Sequence, residues 1–361
     1  MIRAERAHLH VAALSHPGLK GKNNEDRYAV SSYFLSPQEP TPVLFAIVAD
    51  GIGGHRAGEV AAELAVDHTC QVISESDARQ PLRTLERAIH TASQAVAAHA
   101  ASAADQQGMG ATCACALVIG DHLYMASVGD SRIYLLRAGG IQQLTTDHTW
   151  IQEAMDKGIL TPEQASEHPN VHVIRRYLGS PQPPRVDFRL RLSEGESDAQ
   201  AKGNQGMTLR PGDILLLCSD GLTDLAWNDE ILQAIRAARG VKAAAKALID
   251  LANERGGHDN ITVILLAVPE EGNREKKNRR ALLPWMIGSI VGLIALVTGL
   301  AGLVWYLRQP TPVSTPGAAA AGPPPLVATT PMPFAPTSPP GMSPGTALPG
   351  PTYTPWPTNT P

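Results

Sequence analysis

The stretch Val43-Leu-Phe-Ala-Ile-Val-Ala-Asp50-Gly51 joins an apolar run to a carboxylate and a turn. A short apolar run that ends at Asp-Gly predicts a buried strand. The pattern recurs along the chain. Ile214-Leu-Leu-Leu-Cys218 stops one serine before Asp220-Gly221, and Leu123 to Val128 stops at Gly129-Asp130. Asp259-Asn260 stands directly before Ile261-Thr-Val-Ile-Leu-Leu266. Asp-Gly alone is ordinary turn chemistry, but four aspartates at four strand ends form a pattern. If the last strand runs antiparallel to the others, its start meets their ends and the four carboxylates converge. Crowded carboxylates repel one another unless cations neutralise them, and an all-oxygen donor set selects hard divalent ions such as Mg2+ or Mn2+. A multi-aspartate metal site is the expectation.

Residues 1–270 read as one globular unit of strands and helices, with 24 Lys and Arg against 32 Asp and Glu. This acidic balance argues against nucleic acid as a partner, which calls for a basic face. The four cysteines, Cys70, Cys113, Cys115 and Cys218, form no CxxC pair. They read as small buried hydrophobes in a reducing compartment. The amino terminus has no long apolar run, so no secretory signal peptide is expected.

The carboxyl-terminal quarter differs. Residues 281–307 carry no charge and are rich in Leu, Ile, Val, Gly and Ala. As a helix they would extend roughly 40 Å, more than the ~30 Å hydrocarbon core of a bilayer. Trp285 and Trp305-Tyr306 suit the two interfaces. The basic segment 271–280, with Arg274, Lys276, Lys277, Arg279 and Arg280, precedes the span, and only Arg308 follows it. The positive-inside rule then predicts a single-pass protein of the cell membrane with residues 1–270 in the cytoplasm. Residues 308–361 hold 17 of the chain's 30 prolines and no charge beyond Arg308. They read as an extended, disordered tail outside the cell. Gly288 and Gly292 form a GxxxG pair, the spacing of a weak dimer contact in membranes.

Strands are expected near His8 to Ser15, Tyr28 to Tyr33, Val43 to Ala49, Thr112 to Ile119, Leu123 to Val128, Arg132 to Arg137, Ile141 to Leu144, Val186 to Leu192, Ile214 to Cys218 and Ile261 to Leu266. Helices are expected over Gly58 to Ile73, along the stripe Leu82, Leu85, Ile89, Ala92 and Val96, and over Glu230 to Ala238 and Val241 to Asn253. Trp150 to Pro184 reads as loops with short helical pieces, and Ser193 to Gly206 as an exposed loop. Runs of strands followed by paired helices indicate antiparallel sheets covered by helices, an α+β fold.

These motifs resemble, in order, those of the metal-dependent protein phosphatases of type 2C, and in particular their bacterial serine/threonine members. The resemblance covers about residues 8–268. It rests on Asn23-Asn-Glu-Asp26 after Gly18, Val48-Ala-Asp-Gly-Ile-Gly-Gly-His55 with Gly58-Glu59, Gly110-Ala-Thr112 and Val128-Gly-Asp-Ser-Arg132. It continues through Leu144-Thr-Thr-Asp-His148, Arg176-Tyr-Leu-Gly179, Cys218-Ser-Asp-Gly-Leu-Thr-Asp224 and Asp259-Asn-Ile-Thr262. It implies a four-layer α/β/β/α sandwich of two antiparallel sheets flanked by helix pairs, with two Mn2+ or Mg2+ ions at one edge. By the same resemblance Asp50 bridges both ions, the Gly51 carbonyl binds one, and Asp220 and Asp259 hold the other. Glu25 and Asp26 act mostly through metal-bound waters. Asp130, with Asp220 and Asp224, forms a weaker third site, and residues 150–184 form a flap over the substrate. Asn260 and Thr262 are expected to orient ligands or satisfy backbone groups. The implied substrates are phosphorylated proteins, among them a membrane Ser/Thr kinase and its substrates.

The chemistry also follows from the ligands. Two cations about 3.5–4 Å apart lower the pKa of a shared water and offset charge on a phosphate monoester, so a bridging hydroxide can attack in line. A general acid assists the leaving alkoxide, and His55 is the candidate, although Ile52 fills the place where eukaryotic relatives carry histidine. The family usually has an arginine four residues before the Glu of its Glu-Asp pair. Here that place is Gly21, between Lys20 and Lys22. Either lysine supplies charge without a bidentate fork. Gly21→Arg is expected to lower KM unless the glycine is needed for a positive φ. Two rival readings remain: a pseudophosphatase that only binds phosphoproteins, and a transmembrane sensor whose tail is the working part.

Overall fold

The computed structural model describes residues 1–270 apart from 22, 54–55, 103–105 and 167, together with Arg308. Its strands are β1 (Ile2–Arg3), β2 (His10–His16), β3 (Arg27–Phe34), β4 (Pro42–Ala49), β5 (Gly51–Ile52), β6 (Gly110–Ala111), β7 (Cys113–Ile119), β8 (His122–Val128), β9 (Arg132–Arg137), β10 (Gly140–Gln143), β11 (Met207–Thr208), β12 (Ile214–Cys218) and β13 (Ile261–Ala267). The helices are α1 (Arg56–Ser74), α2 (Pro81–Ser102), α3 (Trp150–Asp156), α4 (Pro162–Ser166), α5 (Asp198–Gly203), α6 (Asp220–Thr223), α7 (Asn228–Ala237) and α8 (Val241–Glu254). One antiparallel sheet has the order β1-β3-β4-β7-β8-β11 and the second β10-β9-β12-β13-β2, with β5 and β6 as a separate pair.

Alternation along single strands assigns the layers. On β4, Val43, Phe45 and Ile47 pack with Ala61 and Ala65 of α1 and Leu85, Ile89 and Val96 of α2. Leu44, Ala46 and Val48 of the same strand face Ile133, Leu135, Leu217 and Ile264 of the second sheet. On β13, Ile261, Val263 and Leu265 turn the other way, onto Ile231 and Ile235 of α7 and Leu248 and Ile249 of α8. The layers therefore run helix pair, sheet, sheet, helix pair. With both faces of β4 covered, Val43 to Ala49 are all fully buried. A strand covered on both faces reads as a continuous apolar run. Each large side chain buried there stabilises the fold by roughly 1.5–3 kcal/mol. The four thiols are free, and three are buried. Burial pushes Cys218 and Cys70 up to about 12, which matches their reading as inert hydrophobes.

Pairing register brings the strand ends together. Cys218 at the end of β12 pairs with Val263 near the start of β13 and with Arg132 at the start of β9. Ile261 pairs with His16, where β2 ends. In the other sheet Ala49 pairs with Arg27, and Cys113 with Val128. Residues 17–26, 50, 129–130, 219–220 and 259–260 therefore emerge at corresponding strand ends. The last strand is antiparallel to β12 and β2, as the convergence argument required. β13 begins at this edge and runs to the opposite one.

Two segments differ from expectation. Val186 to Leu192 is not a strand and makes only one isolated bridge, Ser127 to Asp187. Its backbone partners are scattered: Leu190 N–H donates to Ala201 and Arg191 N–H to Leu144. Asp187 also takes the Arg189 N–H on its own carboxylate at 2.9 Å. Local side-chain bonding of this kind competes with a ladder. Ser193 to Gly206 contains α5, with fully buried Ala201 on its inner side. Ser197 and Gln200 form a capping box there, a signature present in the sequence. The short strands β1, β5, β6 and β11 have two residues each, too few to show alternation. Among the described residues no helix is long and apolar enough to cross a membrane. The expected span 281–307, the basic segment 271–280 and, apart from Arg308, the tail 308–361 lie outside the described residues.

Candidate metal centre

Asp50 follows β4, and Thr112 fixes its backbone on both sides. Asp50 N–H donates to Thr112 Oγ1 at 2.9 Å, and Thr112 N–H donates to Asp50 O at 2.8 Å. The chain beside it is crowded. A Cβ on Gly51 would overlap Gly58 O, and one on Gly58 would overlap the Glu25 carboxylate. These glycines permit β5, the start of α1 and the Glu25 loop to approach one another.

On the second sheet, Ser219 links three elements. Its Oγ donates to Asp26 Oδ2 at 2.7 Å and accepts the Thr262 N–H at 3.0 Å, and its N–H donates to Thr262 O at 3.1 Å. Asn260 holds the incoming loop. Its Oδ1 accepts the Glu25 N–H at 2.6 Å, and its Nδ2 donates to Pro17 O and Asn23 O, each at 3.1 Å. Asn260 N–H donates to Asp259 Oδ1 at 2.9 Å. Asn260 and Thr262 therefore act as positioning groups, as expected. A Cβ on Gly221 would overlap Asn260 O, so the Asp220-Gly221 turn sits directly on the start of β13.

The electrostatics record the convergence. Burial, with the charges of Asp220 and Asp259, pushes Asp26 up to about 7 against hydrogen bonds from Thr262 and Ser219. Burial and then the charges of Asp220, Asp26 and Asp130 raise Asp50 well above the carboxylate range. Asp130 is raised by burial and then by Asp220, and Asp220 by burial and by Asp259. Asp224 is pushed to about 6 by burial and by Asp220. Asp26 Oδ1, Asp130 Oδ1 and Asp220 Oδ1 are buried without a hydrogen-bond partner. Three orphaned carboxylate oxygens in one crowded edge are what hard cations would satisfy. Among the described residues no group of three His, Cys, Asp or Glu forms a complete ligand cage. That suits ions held by one or two carboxylates each with waters completing the shell, as Mg2+ is held. The donor set fits the expected pair of Mn2+ or Mg2+ ions.

The structure thus brings together Glu25, Asp26, Asp50, Gly51, Asp130, Asp220 and Asp259. Lys20 is exposed, while Lys22 and His55 lie outside the described residues. Gly21 has φ +67° with nothing within 4 Å of a Cβ built on it. The condition attached to the arginine substitution is therefore met: φ, not packing, requires glycine, and Gly21→Arg would cost about 1–2 kcal/mol of backbone strain. Its expected gain in KM is withdrawn. Lys22→Ala should still raise KM for a phosphopeptide several-fold at low salt and less at high salt, because an exposed point charge is screened. A KM that moves by less than about twofold would leave the lysine without that role.

Sequence reading missed two supports. Ser219 appeared only as a motif letter. His148 holds Asp130's neighbour: Gly129 N–H donates to His148 Nδ1 at 3.0 Å, and His148 Nε2 donates to Asp187 Oδ2 at 3.0 Å. Burial lowers the His148 pKa, so the ring is neutral with its proton on Nε2.

Comparison with known proteins agrees with this geometry. The protein phosphatase 2C family model matches residues 19–259. The serine/threonine protein phosphatase PstP of Mycobacterium tuberculosis is 35% identical over 260 residues, covering 72% of this chain and 45% of PstP. The serine/threonine phosphatase stp of Listeria innocua is 34% identical over 263 residues, covering 72% of this chain and 94% of the relative. The crystal structure of the PstP catalytic domain with two manganese ions superposes with a TM-score of 0.59 at 34% identity, over 73% of this chain and 99% of that one. The motifs, the two helix-covered sheets and the carboxylate edge place one conclusion beyond dispute: this chain belongs to the protein phosphatase 2C family.

Proposed function

We propose that the chain hydrolyses phosphoserine and phosphothreonine in proteins and depends on Mn2+ or Mg2+. The observation that carries this reading is the set of three orphaned, buried carboxylate oxygens on Asp26, Asp130 and Asp220 beside Asp50. Asp50, Asp220 and Asp259, with the Gly51 carbonyl, would hold two ions, and Asp130 with Asp220 and Asp224 a looser third. When bound, such ions lower the pKa of a shared water and offset charge on the phosphoryl oxygens. The chain's own residues do the rest. Thr112 fixes Asp50, Ser219 and Thr262 fix Asp26, and Asn260 fixes the Glu25 backbone, so little reorganisation accompanies reaction. His55 is assigned the proton for the leaving alkoxide, and Lys20 and Lys22 the attraction of substrate phosphate. Phosphopeptide assays of the full chain with and without manganese test the reading; metal-independent turnover would end it. The complete aspartate set weighs against a pseudophosphatase, whose support is Gly21 alone.

The same reading includes the membrane. Residues 281–307 form a single span, residues 1–270 face the cytoplasm, and the proline-rich tail lies outside. There the enzyme opposes a membrane Ser/Thr kinase, and Gly288 and Gly292 give the span a weak dimer contact. The support is the basic asymmetry about the uncharged segment. Protease added to intact cells should trim a tag at Pro361 and spare residues 1–270. A tag digested only after lysis would reverse the topology.

A further inference from the structure

A second polar cavity lies behind the carboxylate edge. It measures about 170 Å3 and is lined by His148, Asp156, Arg176, Arg185 and Lys202, with the acids of neighbouring ion pairs. That is smaller than the ~300 Å3 at which drug-sized pockets begin and about the volume of five or six waters, room for a small ion.

The charges around it do not balance. Asp147 is paired with Arg132 at 2.7 Å and Asp187 with Arg189 at 2.5 Å. Asp198 is paired with Arg191 at 2.7 Å, and Glu153 lies 3.7 Å from Arg175. Asp156 accepts a hydrogen bond from Gln152 and forms no ion pair among the described residues. Against it stand Arg176, Arg185 and Lys202, and none of these has a carboxylate partner among the described residues. Arg176 is the most telling. Its Nη1 lies 3.0 Å from His148 Nε2, yet that nitrogen already donates to Asp187 because Nδ1 accepts the Gly129 N–H. The remaining acceptor of Arg176 is Arg185 O at 3.2 Å, which leaves most of its five donors unused. Burial, with Arg189 and Arg185 nearby, lowers its pKa despite Asp187 and Glu153. A half-buried guanidinium beside other cations calls for an anion.

We propose that this cavity is a binding site for a phosphate-type oxyanion, separate from the carboxylate edge and one imidazole ring away from Gly129-Asp130. Arg176 supplies a fork at the cavity wall, which matches tetrahedral oxyanions, and Arg185 and Lys202 add charge at its mouth. The anion is either free inorganic phosphate or a second phosphorylated residue of the substrate. The latter source rests on the phosphatase reading, whereas the site itself does not.

The test uses the manganese-loaded full chain and the exposed double variant Arg185→Ala/Lys202→Ala. Equilibrium dialysis with labelled inorganic phosphate should show two sites per chain, one of them weakened about fivefold or more in the variant. Hydrolysis of p-nitrophenyl phosphate should be unchanged, which reports an intact fold and metal edge. Arg176→Lys keeps the charge but loses the fork and should weaken the same site. Peptides carrying one or two phosphoserines identify the source. A lower KM for the doubly phosphorylated peptide, lost in the variant, assigns the site to a substrate phosphoresidue. Equal KM values with phosphate still bound assign it to free phosphate. A single phosphate site in the parent chain, or identical binding in parent and variants, would overturn the proposal. Because binding is read without turnover, an inactive enzyme that still binds two phosphates would refute the phosphatase reading and leave the site standing.

Discussion

Phosphopeptide hydrolysis should fall at least ~100-fold when Asp50 or Asp259 is replaced by asparagine, the scale of losing a principal electrostatic stabiliser. The expectation has a second half that a merely destabilised variant would not show. In the metal-free chain Asp50 is crowded by Asp220, Asp26 and Asp130, so a neutral amide relieves repulsion. Asp50→Asn should therefore keep or raise the metal-free Tm while activity disappears. The manganese-dependent rise in Tm should shrink in the same variant. Asp130→Asn touches the looser site and should cost less, and unevenly across substrates. Turnover that survives in EDTA, or in Asp50→Asn, would remove the aspartates from the mechanism.

The second large effect is on stability against pH. Asp26 is pushed up to about 7 and Asp224 to about 6 in the folded, metal-free chain. A carboxyl whose folded pKa is raised stabilises the fold fully below its unfolded value near 4 and loses that contribution as pH rises through the folded value. The metal-free protein should thus be most stable near pH 4–5, as far as these two groups decide it, and weaken by a few kcal/mol by pH 7–8. Saturating Mn2+ should flatten or reverse this slope, since cations favour the charged carboxylates. Thermal denaturation across pH 4–8, with and without manganese, reads both slopes. A metal-free Tm that climbs from pH 5 to pH 8 would contradict the crowding.

The site was legible where chemistry and strand ends coincide. Asp50, Asp220, Asp130 and Asp259 each stand at the end of an apolar run, and antiparallel pairing turns that one-dimensional regularity into a common edge. The glycines beside them are explained only by the folded chain, where Gly51 meets Gly58 and Gly221 meets Asn260. The roles of Ser219 and His148 were not readable, because their partners Asp26, Gly129 and Asp187 are distant in sequence. Residues 186–192 were misread for a related reason. Their alternation is real, but Ser127, Leu144 and Ala201 take the backbone bonds that a neighbouring strand would have taken. Gly21 marks another limit, since a positive φ leaves no trace in a glycine codon beyond the glycine itself.

The direction of β13 has a consequence for how the enzyme is delivered to its targets. The strand starts beside Asp259 and ends at Ala267, seven residues or roughly 23 Å further on. Anything joined after residue 270 is thus attached like a handle at the far end from the blade. A tether there can be shortened, lengthened or gripped by another protein without crossing the catalytic mouth. Selection can then change where the enzyme is held without retuning what it does, and the reach of the tether becomes a specificity filter independent of the chemistry.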